Sequence, residues 1–291
     1  MREKALVLGD QAVALSRVWE RRTKRQAKVL RGALSYDASK NEYALVPEAV
    51  PPNLVYSKSL SIKALLHSWP FFQGRLLDIG AGEKPYALFL ESLVTDYISL
   101  DLPQGGGRAF SDIWADGQRF PFRTESFDTV FCADMLNTIP APMSVFREAN
   151  RVLKLGGHLV LMITNDFDLT DHTPVLAHYT ADGLRIMAEN SGFNVIVLRS
   201  KGKVIPFFYN LFVQVNYRIV QKIFGAKDRL QDHRFLFNRL MVPFQLFLQK
   251  ITPKKSIDSS VEWIEGKDTR VISGAFHLGF LLVAKKVFRP D

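Results

Sequence analysis

Five apolar runs of strand length punctuate the middle of the chain: RLLDI (75–79), YISLD (97–101), FDTVFCAD (127–134), HLVLMIT (158–164) and NVIVLRS (194–200). They are nearly continuous in apolar residues rather than alternating, which predicts strands buried on both faces. Helical patterns separate them over 85–94, 142–154 and 181–191, and a shorter strand is expected at 112–115, just before Asp116. Gly156-Gly157 reads as the close of one helix and Gly192 as the C-cap of another. A last run, LGFLLVAKK (278–286), predicts one more strand. Strand–helix alternation of this kind builds an α/β domain, a parallel sheet with helices on both faces.

The flanks differ. Residues 3–30 are rich in Ala, Leu, Arg and Lys and predict a helix; 36–57, broken by Pro47, Pro51 and Pro52, is expected to be irregular; 58–68 predicts a short helix. Between the last two strands, Phe208, Leu211, Phe212, Val215, Ile219 and Ile223 recur at helical spacing. So do Leu236, Leu240, Phe244, Phe247 and Ile251, with Pro243 as a kink. The expected organisation is an N-terminal helical extension (1–70), a core (71–203 and 271–291) and a helical insertion or cap (204–270).

Composition sharpens this picture in two respects. Cys132 is the sole cysteine and the six histidines show no ligand spacing, so no disulfide and no metal site are expected. The opening residues are too short an apolar run for a secretory signal, and no uninterrupted apolar stretch reaches the ~18 residues of a membrane span. The expectation is a cytoplasmic protein. Charge is distributed unevenly. Residues 1–31 hold nine Lys/Arg against three Asp/Glu, and residues 201–255 hold eleven against Asp228 and Asp232 alone. The whole chain is +9, so everything outside those two segments sums to −6. Basic attachments on an acidic body predict an anionic partner.

The chemistry begins at LLDIGAGEKPY (76–86). Asp78 ends an apolar run. Gly80 and Gly82, flanking Ala81, permit a tight turn and close approach of a ligand to the backbone. The third glycine of a Gly-x-Gly-x-x-Gly dinucleotide loop is replaced by Pro85, which disfavours a pyrophosphate cofactor. The second run ends in Asp101, followed by Leu102, where a carboxylate can accept two hydrogen bonds from a ribose diol. A third mark is Asp116-Gly117, suited to reading an adenine edge, although Asp116 taken singly reads more readily as a cap. Acidic marks at three successive strand ends, opening on Gly-x-Gly, act as a joint signal.

The series LLDIGAGEKPY, ISLDLP, ADGQRFPFRTESFDTVFCADMLNTIPAP and REANRVLKLGGHLVLMIT resembles the class I methyltransferases that use S-adenosylmethionine, in the subgroup whose glycine loop runs into Pro-Tyr. HYTADGLRIMAENSGFNV is similar to the same group. The resemblance covers about residues 74–200 and 278–286. It implies a Rossmann-like, seven-stranded, mostly parallel sheet whose last strand is antiparallel, with the insertion before that strand. It also implies S-adenosyl-L-methionine as cofactor, held by the Asp78–Gly82 loop, Asp101 with Leu102, Asp116 with Gly117, and, facing the methionine end, Ala133 and Asp134. One departure stands out: Asn137-Thr138 occupies the place where relatives carry Glu-His.

Methyl transfer from a sulfonium is an in-line displacement that asks mainly for alignment in a dry pocket. A base for the acceptor would be sought in NDFDLTDHTPVLAHYT (165–180), where Asp166, Asp168, His172 and His178 are the weak candidates and Tyr179 a wall; none stands out from ordinary loop polarity. The motif-like Tyr36…Lys40 spacing lies on the wrong side of the glycine loop for a reductase. The leading expectation is methylation of a small-molecule or lipid- or glycan-linked acceptor. RNA methylation and a cofactor-binding but catalytically silent partner protein remain as alternatives. The basic, Phe-rich insertion is read as favouring an anionic membrane surface, which would place the protein peripherally at the inner membrane face; nucleic acid is the weaker reading because the aromatics follow helical spacing.

Overall fold

The computed structural model describes residues 34–37, 42–45, 55–82, 84–102, 111–165, 175–202, 207, 208, 210–212, 214, 215 and 278–288. A short antiparallel hairpin comes first, β1 (Leu34–Asp37) with β2 (Glu42–Leu45), setting Leu34 opposite Leu45 and Tyr36 opposite Tyr43. This corrects the expectation of an irregular 36–57. LSYD and EYAL are too short to stand out as strands and gain their order by pairing. The helix α1 (Val55–His67) follows, close to the expected 58–68. The helix expected over 3–30 lies outside the described residues.

The main sheet comprises β3 (Arg75–Ile79), β4 (Asp96–Asp101), β5 (Ile113–Trp114), β6 (Phe127–Ala133), β7 (Leu153–Thr164), β8 (Phe193–Lys201) and β9 (Gly279–Lys286). These seven strands lie in the order β5-β4-β3-β6-β7-β9-β8. The pairs from β5 through β7 are parallel, whereas β9 runs antiparallel to both β7 and β8. The fold is therefore Rossmann-like, with its reversed strand where the resemblance implies it.

Period-two geometry explains why continuous apolar runs were needed. On one face Leu77, Ile79, Val130, Cys132, Leu159 and Leu161 pack under Val145, Phe146 and Ala149 of α3 (Pro142–Val152) and Leu184 and Ala188 of α4 (Ala181–Glu189). On the other, Leu76, Phe131, Val160 and Met162 pack under Ile62 and Leu65 of α1 and Phe89 and Leu90 of the one-turn helix α2 (Ala87–Leu90). Strands alternating out of phase would leave one set in water.

Two local expectations are corrected. The helix predicted over 85–94 is only α2: the Ser92 hydroxyl donates to the Phe89 carbonyl at 2.6 Å, a side-chain bond that competes with helix continuation. Gly156-Gly157 does not close α3, which ends at Val152 and leads directly into β7. Pairing with β6 jumps from Phe127↔Leu153 to Thr129↔His158. The extra residues are accommodated at Gly156 (φ 80) and at Gly157, where a Cβ would sit 2.9 Å from the Asp128 carbonyl oxygen. Gly192 (φ 82) does close α4, its N–H donating to the Glu189 carbonyl at 3.0 Å.

Candidate active site

The parallel strands β3, β4 and β6 end at one edge, and their loops form the crevice where open α/β sheets hold ligands. Gly80 (φ 68) and Gly82 (φ 51) both adopt left-handed backbone after β3, and the Gly80 N–H donates to the Leu100 carbonyl at 2.8 Å. The two glycines have different reasons to be glycine. A Cβ at Gly82 would meet nothing within 4 Å, so that residue faces open space. A Cβ at Gly80 would lie 2.6–2.7 Å from the Met135 side chain. Gly80 is thus pressed against Met135 rather than opening directly onto a ligand.

Asp101, at the end of β4, ties the loops together. One carboxylate oxygen accepts the Gly82 N–H at 2.7 Å and the other the Leu102 N–H at 2.7 Å. Each oxygen can accept a second bond, and a vicinal diol presents two hydroxyl donors at the matching separation. The open face of Gly82 beside this carboxylate fits a ribose, so the donor set suits an adenosyl cofactor. Leu102 is exposed beside it. Asp116 is exposed and makes a turn cap, accepting the Gln118 N–H at 2.8 Å. Gly117 is buried, and a Cβ there would lie 3.0 Å from the Met135 sulfur. Met135 therefore spans from Gly80 to Gly117 and floors the crevice. The sequence reading missed it, since a methionine after a strand carries no pattern of its own.

Asp78 is inside the sheet rather than on the crevice surface. It is 3% exposed, and the Tyr97 hydroxyl donates to it at 2.5 Å. Burial pushes its carboxyl up to about 7, only partly offset by the Tyr97 bond and by Lys84. Lys84 itself pairs with Asp112 at 3.1 Å and lies 5.8 Å from the Tyr97 ring centre.

At the methionine-end position the structure brings together residues far apart in sequence. Asp134 (φ 56) follows Ala133 at the end of β6. Its carboxylate accepts from Lys58 of α1 at 2.8 Å and from the Thr164 hydroxyl at 2.6 Å, with Lys201 at 3.8 Å. The Lys201 ammonium, its side chain only 4% exposed, donates to Ser61 and Thr164. Burial would raise the Asp134 pKa, but Lys58 and then Lys201 reverse this and hold it well below the usual carboxylate range. It is a fixed anion, not a proton acceptor at neutral pH. Lys58, Ser61, Thr164 and Lys201 were not singled out from the sequence; only the fold makes them neighbours.

The far wall is the segment 175–180. Asn137 is 5% exposed; its side-chain amide donates to the Ala177 carbonyl at 2.9 Å and its backbone carbonyl accepts from the Leu176 and Ala177 N–H groups. The Tyr179 hydroxyl donates to the Leu136 carbonyl at 3.1 Å, and burial raises its pKa above the ordinary phenol value. Thr180 caps α4 by accepting the Gly183 N–H. His178 is exposed nearby. Asp166, Asp168 and His172 lie outside the described residues.

The methyltransferase-domain family model matches residues 77–161, the stretch that carries the glycine loop, Asp101, Asp116 and Asp134. Over those residues the chain carries a methyltransferase domain. Among curated proteins, the domain is similar to 27-O-demethylrifamycin SV methyltransferase of Amycolatopsis mediterranei, 31% identical over 42% of this chain and 48% of that protein. It is also similar to malonyl-[acyl-carrier protein] O-methyltransferase of Legionella pneumophila, 32% identical over 30% of this chain and 34% of that one. The chain thus spans about half the length of the first relative and a third of the second. Similar solved structures include the [4+2]-cyclase SpnF (TM-score 0.49, 17% identity, 79% of this chain and 81% of that). Another is phosphoethanolamine N-methyltransferase 2 of Haemonchus contortus in complex with S-adenosyl-L-methionine (TM-score 0.44, 18% identity, 77% of this chain and 52% of that).

Proposed function

We propose that the protein transfers the methyl group of S-adenosylmethionine to a small-molecule acceptor or to one linked to lipid or glycan. The observation that carries this reading is Asp101, whose carboxylate joins the Gly82 loop to the end of β4 and leaves acceptor capacity for a ribose diol. The cofactor, when bound, supplies an activated methyl on a sulfonium. The chain's own residues then align and enclose. Asp101 would hold the ribose, and Met135, between Gly80 and Gly117, would set the depth of the crevice. The segment pinned by Asn137 and Tyr179 would shield it from water.

The groups around the crevice bear on the acceptor. Asp134 is held ionised by Lys58 and Lys201, and burial keeps both the Cys132 thiol and the Tyr179 hydroxyl protonated. None of these three takes a proton readily at neutral pH. Among the described residues this favours an acceptor that arrives nucleophilic, such as a neutral amine or an ionised oxygen, and loses any proton to solvent after the new bond forms; Asp166, Asp168 and His172 lie outside them. One relative is named for 27-O-demethylrifamycin SV and the other for malonyl-[acyl-carrier protein], which supports a small or carrier-linked acceptor.

The test is incorporation of labelled methyl from S-adenosylmethionine into total lipid, small-molecule, RNA and protein fractions incubated with the purified chain. Label in the lipid or small-molecule fraction, lost in Asp101→Ala, is the expected result. Label in RNA alone would replace the acceptor class. Cofactor binding by calorimetry with no label in any fraction would favour the catalytically silent reading, to which Asn137-Thr138 in place of Glu-His lends support.

A further inference from the structure

The buried carboxyl of Asp78 makes no ion pair among the described residues. It stands on β3, which lies between β4 and β6, and its neighbours across the sheet are Ser99 of β4 and Phe131 of β6. The Tyr97 hydroxyl donates to it at 2.5 Å. Burial without an ion pair favours the neutral acid. The charges around it pull in opposite directions: Lys84, itself paired with Asp112, favours the ionised form, whereas Asp101 and Asp112 oppose it. Tyr97, Tyr86 and the Cys132 thiol complete its titratable surroundings, and burial holds all three protonated.

The place of this acid below the crevice gives it a use. Asp101 ends β4 on one side of β3, and Asp134 follows β6 on the other. The inference rests on the S-adenosylmethionine reading, in which the ribose lies at Asp101 and the methionine end at Asp134. The sulfonium sulfur joins those two parts of the cofactor covalently, so it would lie over the end of β3. Asp78 is two residues, or about 7 Å of strand, before Gly80. A unit charge is felt at that range inside a protein, and Asp78 already responds to Asp101 and Lys84 in the loops above it.

The cofactor and its product differ by one charge. Both carry an ammonium and a carboxylate, but the positive sulfur becomes a neutral thioether once the methyl has left. We propose that Asp78 discriminates the sulfonium cofactor from its thioether product by releasing a proton to solvent when the cofactor binds and retaking it when only the product remains. The balance is a single proton: neutral acid and cationic cofactor give carboxylate, bound cofactor and one proton in solution. Asp78 acts through its field, from inside the sheet, and not by contact. A cation that favours the carboxylate binds best to the form without the proton, so the preference for cofactor over product rises with pH. If the bound sulfonium makes that proton about tenfold easier to lose, the preference rises about fourfold between pH 6 and pH 7.5, and about 0.4 proton is released per cofactor bound at pH 7.

Titration calorimetry of the full chain reads both quantities, with S-adenosylmethionine and S-adenosylhomocysteine each measured in phosphate and in imidazole buffer from pH 6 to pH 7.5. Wild type should release the proton with the first ligand and not with the second. Asp78→Asn, which imitates the neutral acid, should lose that difference and keep a preference near the wild-type pH 6 value throughout. Subtracting the variant also removes the titration of the ligand's own amino group and of His158. If that variant does not fold, Tyr97→Phe keeps the carboxyl but removes the bond that favours its ionised form, so the release should move to higher pH. Equal proton release with both ligands in wild type, or none with either, overturns the proposal. So does a pH-dependent preference that survives in Asp78→Asn. Failure of wild type to bind either ligand would be a different result, overturning the methyl-transfer reading and this proposal with it.

Discussion

Replacing Asp78 by asparagine should change the pH dependence of stability in a direction opposite to that expected for a carboxylate in an ion pair. Asp78 is buried in β3, and burial lifts its folded pKa from an ordinary 3.8 to about 7. Between those values the folded protein holds a proton that the unfolded chain has released. Stability contributed by this group is therefore fully present below pH 3.8 and is lost as pH rises through about 7. The slope is about 1.4 kcal/mol per pH unit, so roughly 3 kcal/mol disappears between pH 5 and pH 8. His158 opposes this in wild type: burial, then Lys285, depresses its pKa below 6.5, so its contribution is present above that value and lost as pH falls. Taking the difference between Asp78→Asn and wild type removes the His158 term. Asparagine can still accept from Tyr97, and any penalty of about 1–3 kcal/mol for its buried amide hydrogens is independent of pH. Urea unfolding of both proteins at pH 5, 6, 7 and 8 should show the variant gaining about 3 kcal/mol on wild type across the series, then running level above pH 8. Parallel profiles would refute the reasoning, because they would mean that Asp78 remains ionised inside the sheet.

Three further outcomes are expected. Asp101→Ala should cost about 2–4 kcal/mol of S-adenosylmethionine affinity by calorimetry, since a charged acceptor for two hydroxyls is lost; unchanged affinity in a folded variant would remove Asp101 from the site. Gly80→Val should destabilise the fold by about 1–2 kcal/mol from backbone strain alone, and weaken cofactor binding by displacing Met135 from the floor of the crevice. Its side chain would meet Met135 at 2.6–2.7 Å, so adding Met135→Ala should recover part of the stability, and strictly additive effects would show that the two do not touch. Lys58→Met should raise the pH of acid unfolding: Asp134 contributes stability above pH 3.8 that is lost as pH falls, and Lys58 is the largest of the groups that oppose its burial. Lys58 and Asp134 are 32% and 23% exposed, which moderates the loss at neutral pH to about 1–2 kcal/mol, read by urea titration.

The fold was legible where local pattern and tertiary demand agree. RLLDI could be placed to the residue because a central parallel strand must be apolar on both sides, and Leu76 and Leu77 indeed face opposite layers. The errors arose where a short-range signal had two uses. A Gly-Gly pair after a helix stops the helix in most settings, but here it absorbs a register slip between β6 and β7. Tetrapeptides such as LSYD and EYAL hold too little pattern to be seen before they pair. The reversed strand came from resemblance rather than periodicity, since LGFLLVAKK carries no sign of its direction.

The candidate site divides along the same line. Gly80, Gly82 and Asp101 could be found because backbone requirements and strand ends are written locally, and a single spacing of nineteen residues links Gly82 to Asp101. The acceptor side is built by contacts that no spacing encodes. Lys58 meets Asp134 across 76 positions, and Lys201 reaches Ser61 across 140. A lysine in an amphipathic helix reads as a solvated charge, and a lysine at a strand end reads as an edge residue. Only when α1 covers β7 and β8 do the two converge on one aspartate. The consequence is functional as well as structural. The resemblance assigns Asp134 to the methionine end of the cofactor, yet its charge is already committed to α1 and β8. Any ligand that approaches this corner meets a carboxylate fixed in place by residues outside the 77–161 domain, so α1 and the end of β8 belong to the site even though the domain's own pattern does not include them.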